Sequence, residues 1–60
     1  ITNINIDDNL YKKVINGAKI KNIYNEDFVS FKYNNKIVAI YKNDNGMLRM
    51  YKLFRNSIEF

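Results

Sequence analysis

The stretch KIVAIYKNDNGMLRMYKLF, residues 36–54, decides the fold, because it has the pattern of two β-strands joined by a tight turn. Residues 36–42 contain the uninterrupted run IVAIY, which predicts a strand covered on both faces. Residues 43–46, NDNG, end in the dipeptide that most readily adopts positive φ in hairpin turns. Residues 47–54 predict the second strand. A hairpin this apolar is not stable alone in water, so we expect the other residues to cover it.

Alternation predicts which side chains of the second strand share a face. One face carries the even-numbered positions, Leu48, Met50, Lys52 and Phe54. The opposite face carries the odd-numbered positions, Met47, Arg49, Tyr51 and Leu53. Each face is therefore predicted to combine apolar side chains with one cation.

A short helix is predicted over residues 7–16. Asp7 or Asp8 is suited to the N-cap, where a carboxylate accepts free backbone N–H groups at the positive end of the helix dipole. The spacing of a buried stripe is met by Leu10, Tyr11 and Val14. Gly17 is placed to end the helix in the left-handed conformation. A helix this short needs tertiary packing, so we expect it to cover one face of the hairpin.

Three further segments alternate apolar and polar residues as half-buried strands do. Residues 1–6 are predicted to be either an edge strand or an extended lead-in from a preceding domain. Residues 18–23 place Ala18, Ile20 and Ile23 inward and two lysines outward. Residues 28–33 place Val29, Phe31 and Tyr33 inward, with Ser30 and Lys32 on the opposite face.

Two connections and a tail complete the chain. Residues 24–27 form a polar connection, and residues 34–35, Asn-Asn, predict a second tight turn because Asn tolerates positive φ. In the tail, residues 55–60, Ile58 and Phe60 are expected to dock on the core. The sequence therefore predicts a mainly β (α+β) fold, a small barrel-like sheet of four to five strands with one short N-terminal helix.

Composition limits the class of protein. Sixty residues form a single domain, spanning residues 1–60, which buries only about 60% of its unfolded surface. The chain has no Cys and no His, which removes disulfides, thiolate metal sites and the commonest general base. No apolar run approaches the ~20 residues of a membrane span. We expect a cytoplasmic monomer without metal or cofactor and, because residue 1 is Ile, the C-terminal fragment of a longer protein.

The acidic residues give no catalytic pair. They are Asp7, Asp8, Glu26, Asp27, Asp44 and Glu59. The first two are better explained as a helix cap, and three of the others fall in predicted turns, where solvated carboxylates are ordinary. Nothing pairs a Lys or Ser as nucleophile with a base. We therefore expect no catalysis by this chain itself.

The charge indicates a polyanionic partner. Ten Lys and Arg against six Asp and Glu give a net charge of +4, which is typical of nucleic-acid-binding domains. AT-rich coding bias is an alternative origin of the lysines. The candidate phosphate ligands are Lys19, Lys21, Arg49, Lys52 and Arg55. The candidate stacking rings are Tyr11, Tyr24, Tyr33, Tyr41 and Tyr51, although most aromatics in so small a domain belong to the core.

Three motifs in this order resemble the C-terminal domain of bacterial TruB-type tRNA pseudouridine synthases, a reduced member of the PUA-like RNA-binding folds. They are VINGAKI (14–20), VSFKYNNKIVAIY (29–41) and LRMYKLF (48–54). The matched positions are Asn16, Gly17, Ile20, Val38, Ala39, Ile40, Leu48, Arg49, Lys52, Leu53 and Phe54. The sequence departs from the family at Met50, where Pro is common, and it lacks the proline-glycine turn of larger PUA domains.

The resemblance implies an accessory role in tRNA processing. The parent enzyme is an isomerase that converts a uridine in the T-arm of tRNA to pseudouridine without a cofactor, using an Asp in a separate N-terminal catalytic domain. This domain is then implied to contact tRNA phosphates towards the acceptor stem and T-arm, through Arg49 and Lys52 first, then Lys19 and Lys21, then Arg55. The alternative is a small β-barrel protein-interaction module with no RNA role, and a freestanding enzyme is least favoured.

Overall fold

The computed structural model describes residues 1–54, which form five strands and one helix. Their bounds are β1 (Thr2–Asn5), α1 (Asp8–Ile15), β2 (Ile20–Lys21), β3 (Phe28–Tyr33), β4 (Lys36–Asp44) and β5 (Met47–Leu53). The strands form one sheet in the order β1-β3-β4-β5-β2, curled into a half-barrel with β1 and β2 at its edges. β1 runs parallel to β3, and the other pairs are antiparallel. The predicted fold class is confirmed, and residues 1–6 supply an edge strand.

Both predicted hairpin turns are confirmed. Asn45 and Gly46 join β4 to β5 with φ values of 54° and 87°, the two positive values of a type I′ turn. Asn34 and Asn35 join β3 to β4 with φ values of 54° and 66°. Asn43 and Asp44 pair with Leu48 and Met47, so β4 continues beyond its predicted end and the turn is confined to two residues. The Oδ1 of Asn43 also accepts the Gly46 N–H at 3.2 Å.

The helix has the predicted ends. Asp7 is the N-cap, and its Oδ1 accepts the backbone N–H of Leu10 at 2.9 Å. Gly17 follows the helix with φ 72°. Its N–H donates to the Val14 carbonyl at 3.0 Å, and the N–H of Ala18 donates to the carbonyl five residues earlier at 3.0 Å. These two bonds are the Schellman motif, which satisfies the last free carbonyl groups of the helix.

The helix packs on one side of the sheet, which we call the inner face. Val14 is fully buried there, and Leu10 and Tyr11 are half-buried. The Tyr11 ring stacks on the Tyr33 ring with 4.0 Å between centroids. The Tyr33 hydroxyl donates to an Asp8 carboxylate oxygen. This hydrogen bond, with a contribution from desolvation, raises the pKa of Tyr33. The predicted stripe is confirmed and fastens the helix to β3.

The core lies between the helix and the inner face. Its buried apolar residues are Val14, Val29, Phe31, Val38, Ala39, Tyr41 and Leu48. Phe31 and Tyr41 are the largest buried rings and meet edge to face, with 5.1 Å between centroids. The Tyr41 hydroxyl donates to the Ala18 carbonyl at 3.1 Å, and burial raises the pKa of Tyr41. This bond ties the segment after the helix to the middle of the sheet.

The strand predicted over residues 18–23 is shorter than expected, because β2 has only two residues. The side-chain oxygen of Asn22 accepts the N–H groups of Tyr24 and Asn25, both at 3.1 Å, and this Asx-type turn ends the strand. The inward prediction for Ile23 is wrong, since that side chain is exposed. Tyr24 packs against the core in its place.

The predicted faces of the last strand are correct as far as Tyr51 and wrong for Lys52 and Leu53. Lys52 pairs with Ile40, which leaves Tyr51 as an extra residue in a β-bulge. The bulge turns Lys52 to the side of the sheet away from the helix, which we call the outer face. It also brings Leu53 onto the inner face, where it packs against the core.

The two-sided cover predicted for residues 36–42 is also wrong within the described part of the chain. The helix packs on the inner face, and Ile37 on the outer face is exposed. The docking predicted for Ile58 and Phe60, and the whole tail, lie outside the described residues. Within residues 1–54, no helix has the length and apolar character needed to cross a membrane.

Candidate functional site

The outer face is defined by the strand register, because residues paired across neighbouring strands project to the same side. One row across it is Phe28–Lys42–Arg49, and the next is Asn3–Ser30–Ile40–Lys52. Asp44–Met47–Lys21 and Asn5–Lys32–Ile37 flank these rows. The cations of the outer face are Lys21, Lys32, Lys42, Arg49 and Lys52. Strands distant in sequence therefore bring basic side chains together on one surface.

Three of the residues predicted to contact phosphate lie on this surface: Lys21, Arg49 and Lys52. Lys19 is exposed in the loop between α1 and β2 and belongs to no strand pair. Arg55 lies outside the described residues. The structure therefore brings three of the five predicted basic residues onto one surface.

Sequence reasoning missed two basic residues of this surface, Lys32 and Lys42. Lys42 pairs with Arg49 across the β4–β5 hairpin and with Phe28 across the β3–β4 hairpin. The signal was present in the Asn-Gly dipeptide. A two-residue loop at residues 45–46 fixes the register of the flanking strands, and counting outward from it pairs Lys42 with Arg49.

Two exposed aromatic rings lie among these cations. Phe28 is 39% exposed and Tyr51 is 63% exposed. Their rings meet edge to face, with 5.7 Å between centroids and an interplanar angle of 83°. The ammonium group of Lys42 lies 5.9 Å from the Phe28 centroid, and that of Lys52 lies 5.4 Å from the Phe54 centroid. Both distances fall within the range of cation–π attraction.

Among the five tyrosines predicted as stacking candidates, the structure separates one from the rest. Tyr41 is buried in the core. Three others pack against the core from the inner side: Tyr11, Tyr24 and Tyr33. Tyr51 is the exposed one. It is therefore the tyrosine whose ring is available to a ligand on the outer face.

Within residues 1–54, one acidic side chain lies in this surface. The Asp44 carboxylate accepts the Nε–H of Arg49 at 2.8 Å, and both side chains are about half exposed. Solvent screens an exposed ion pair of this kind, which contributes roughly 0–1 kcal/mol. Arg49 can therefore exchange this carboxylate for another anion at little cost.

A shallow depression of about 310 Å³ lies beside the ion pair. Its lining residues are Lys42, Asn43, Asp44, Arg49, Met50 and Tyr51. The volume is at the small end of the range for ligand sites. Two cations and the exposed ring of Tyr51 thus border one concave area, which suits an anion attached to a planar group.

A second depression, of about 530 Å³, lies at the start of the helix. Its lining residues are Ile6, Asp7, Asp8, Asn9, Tyr33 and Asn34. Both carboxylates there already have structural partners, because Asp7 caps the helix and Asp8 accepts the Tyr33 hydroxyl. Within residues 1–54, no three His, Cys, Asp or Glu side chains come together as metal ligands. This depression therefore offers neither a polyanion site nor a metal site.

Comparisons of the chain with known protein families, with curated proteins and with solved structures find no match. The resemblance to TruB-type synthases accordingly stays a prediction. The surface that carries the functional argument is the outer face, with its cations and its Phe28–Tyr51 ring pair.

Proposed function

We propose that this chain is an RNA-binding domain and that the outer face is its RNA interface. The observation that carries the proposal is the position of Lys42, Arg49 and Lys52 on the same face as two exposed aromatic rings, with Lys21 and Lys32 on the flanking rows. Long cations bind phosphate, and aromatic faces stack on bases. Together they match the two chemical groups that every nucleotide presents.

The distribution of charge supports RNA over coding bias as the origin of the lysines. The core excludes charged side chains from the inner face whatever their origin, so the evidence for RNA is the excess of cations over acids in the strand pairs of the outer face, five against one. Apart from Asp44, the acids of residues 1–54 belong to none of the strand pairs of the outer face. Asp7 and Asp8 are at the start of the helix, and Glu26 and Asp27 are in the loop before β3.

We further propose that the domain is the accessory tRNA-binding part of a TruB-type tRNA pseudouridine synthase in the cytoplasm. The three sequence motifs support this assignment, and two matched positions, Arg49 and Lys52, lie on the outer face. Contacts through such cations go mainly to phosphate and sugar, and they add affinity and orientation rather than sequence readout. Isomerisation of the uridine belongs to a catalytic domain outside this chain.

The test of RNA binding is the double variant Arg49→Ala/Lys52→Ala, titrated with unmodified tRNA over a range of salt concentrations. Each lost phosphate contact lowers the salt slope of the affinity by about one. The matched control is Lys12→Ala/Lys13→Ala, which removes the same charge from the exposed side of the helix. A reduced slope in the first variant and an unchanged slope in the second support the outer face. Equal slopes in both would refute it.

The assignment to tRNA is tested separately by following backbone amide shifts. The domain is titrated with a minihelix of acceptor stem and T-arm and, in parallel, with an anticodon stem–loop. We expect the minihelix to reproduce the shifts caused by whole tRNA, centred on Arg49 and Lys52, and the stem–loop, which offers an unpaired loop without the acceptor-stem phosphates, to bind more weakly. Equal binding of both would leave an RNA-binding domain without the tRNA role.

One observation favours a protein-interaction module as the second candidate. β2 pairs with β5 at only two positions, Ile20 with Leu48 and Lys21 with Met47. In the described part of the chain, β2 therefore leaves much of that edge of β5 open to an added strand. Absence of RNA binding at low salt would favour this candidate.

A further inference from the structure

We propose that the outer face takes an unpaired nucleotide, with its base stacked on Tyr51 and the adjoining phosphates held by Lys52 and Arg49. This inference rests on the proposed function and names the RNA structure that the face selects. The selected structure is a single-stranded segment, such as a loop, a bulge or an end, rather than a continuous duplex.

The first support is the exposure of Tyr51 in a fixed setting. Its side chain is 63% exposed, so it contributes little to the buried core. The edge-to-face contact with Phe28, at 5.7 Å between centroids, nevertheless holds the two rings against each other. A ring that is both open and held in place loses little conformational freedom when a base stacks on it.

The second support is the β-bulge of β5. In a regular strand, consecutive side chains point to opposite faces. Because Tyr51 is the extra residue and Lys52 pairs with Ile40, the ring and the next ammonium group both lie on the outer face. The bulge thus places a stacking surface and a phosphate ligand one residue apart.

The third support is the arrangement of charge around the ring pair. Lys42 approaches Phe28 at 5.9 Å from its centroid, and Arg49 is its cross-strand neighbour. Lys52 follows Tyr51 on the other side. Cations on both sides of the rings suit a phosphate chain that enters and leaves around one stacked base.

This arrangement discriminates between single and double strands. A base inside a duplex is stacked on its neighbours and paired at its edge, so its flat face is unavailable to a side chain. An unpaired base offers both faces, and stacking on an aromatic side chain is tolerant of base identity. The outer face is therefore expected to prefer unpaired RNA with little sequence preference.

The test measures binding of a labelled unstructured oligoribonucleotide and of the same strand annealed to its complement, by fluorescence anisotropy. We expect the single strand to bind more tightly. Tyr51→Ala is expected to weaken single-strand binding about fivefold or more and to leave duplex binding and the salt slope unchanged. Tyr51→Phe keeps the ring and is expected to retain the wild-type affinity. An amide spectrum of each variant confirms that it is folded.

The failures are distinguishable. Equal affinity for the two RNAs, with no effect of Tyr51→Ala on either, overturns the stacking inference and leaves the RNA-binding proposal intact. Loss of single-strand affinity in Tyr51→Phe as large as in Tyr51→Ala assigns the effect to the hydroxyl and also overturns stacking. No binding of either RNA at low salt overturns the proposed function together with the inference.

Discussion

The two faces of one curled sheet use the same kinds of residue for different ends. On the inner face, Phe31 and Tyr41 are completely buried in the core that the helix covers. On the outer face, Phe28 and Tyr51 form a similar edge-to-face pair but remain exposed among cations. Residue type therefore does not separate the core from the surface in this chain. The helix separates the core from the surface, because it covers only the inner face.

The two β-bulges show the same contrast. The bulge in β4 follows from the pairing of Phe31 with Ala39 and of Lys32 with Ile37, and it leaves Val38 as the extra residue. Val38 and Ala39 are consecutive and both buried. The bulge in β5 instead places Tyr51 and the residue after it on the outer face. One bulge thus enlarges the core, and the other enlarges the candidate binding surface.

The largest difference is expected from the deletion of single residues, which tests the strand register directly. Deleting Ser30 from β3, which carries no extra residue, turns the residues on one side of it to the opposite face, as a one-residue slip does, and we expect the chain to unfold. Deleting Tyr51 removes only the extra residue of the bulge, so Lys52 stays outward and Leu53 stays inward. We expect that variant to fold, with stability within about 1 kcal/mol of wild type. The dispersion of backbone amide shifts shows whether each variant is folded. An unfolded Tyr51 deletion variant would contradict the assignment of the bulge.

Truncation of one ring on each face gives the next largest difference. Phe31→Ala opens a cavity in the core and is expected to cost about 3–5 kcal/mol of unfolding free energy. For a chain of 60 residues, that loss is comparable with the whole stability, which is roughly 0.05–0.15 kcal/mol per residue. Phe28→Ala, on the outer face, is expected to cost much less. Urea unfolding followed by circular dichroism measures both, and similar costs would remove the distinction between the faces.

Tyr41→Phe tests the hydrogen bond that joins the inner face to the segment after the helix. Losing the donor to the Ala18 carbonyl is expected to cost about 1 kcal/mol. Because burial raises the pKa of Tyr41, its contribution to stability is full below the unfolded-state pKa of about 10 and is lost as pH rises through the folded-state pKa. Urea midpoints across alkaline pH should fall less steeply in Tyr41→Phe, and the remaining slope is expected from Tyr33, whose pKa is also raised. Tyr51→Phe is the exposed control, and an identical alkaline slope in wild type and Tyr41→Phe would refute this origin.

Asp44→Asn is expected to have the smallest effect on folding. It tests whether Asp44 competes with RNA for Arg49 on the outer face. It removes an exposed ion pair with Arg49, so stability should change by less than about 0.5 kcal/mol. It also removes the acid of the basic surface, so RNA affinity at low salt should rise. Weaker RNA binding in this variant would show that Asp44 orients Arg49 rather than competing for it.

The local elements could be predicted from the sequence. The Asn-Gly and Asn-Asn turns, the Asp7 cap, the Gly17 stop and the alternation of β3 all follow from preferences that act over a few residues. The same local patterns predicted the mainly β class. They also predicted that Lys21, Arg49 and Lys52 belong to the candidate site, since long cations beside apolar strand positions are visible in the sequence alone.

The face that each side chain occupies after a β-bulge could not be predicted, because it depends on tertiary packing. The positions of both bulges and, within residues 1–54, the one-sided cover of β4 depend on how a curled sheet meets the helix, and no local pattern contains that information. The gathering of Lys42, Phe28 and Tyr51 likewise depends on register across three strands. Each bulge reverses the alternation that follows it, so a single extra residue decides whether the side chains after it, here Lys52 and Leu53, lie on the outer or the inner face.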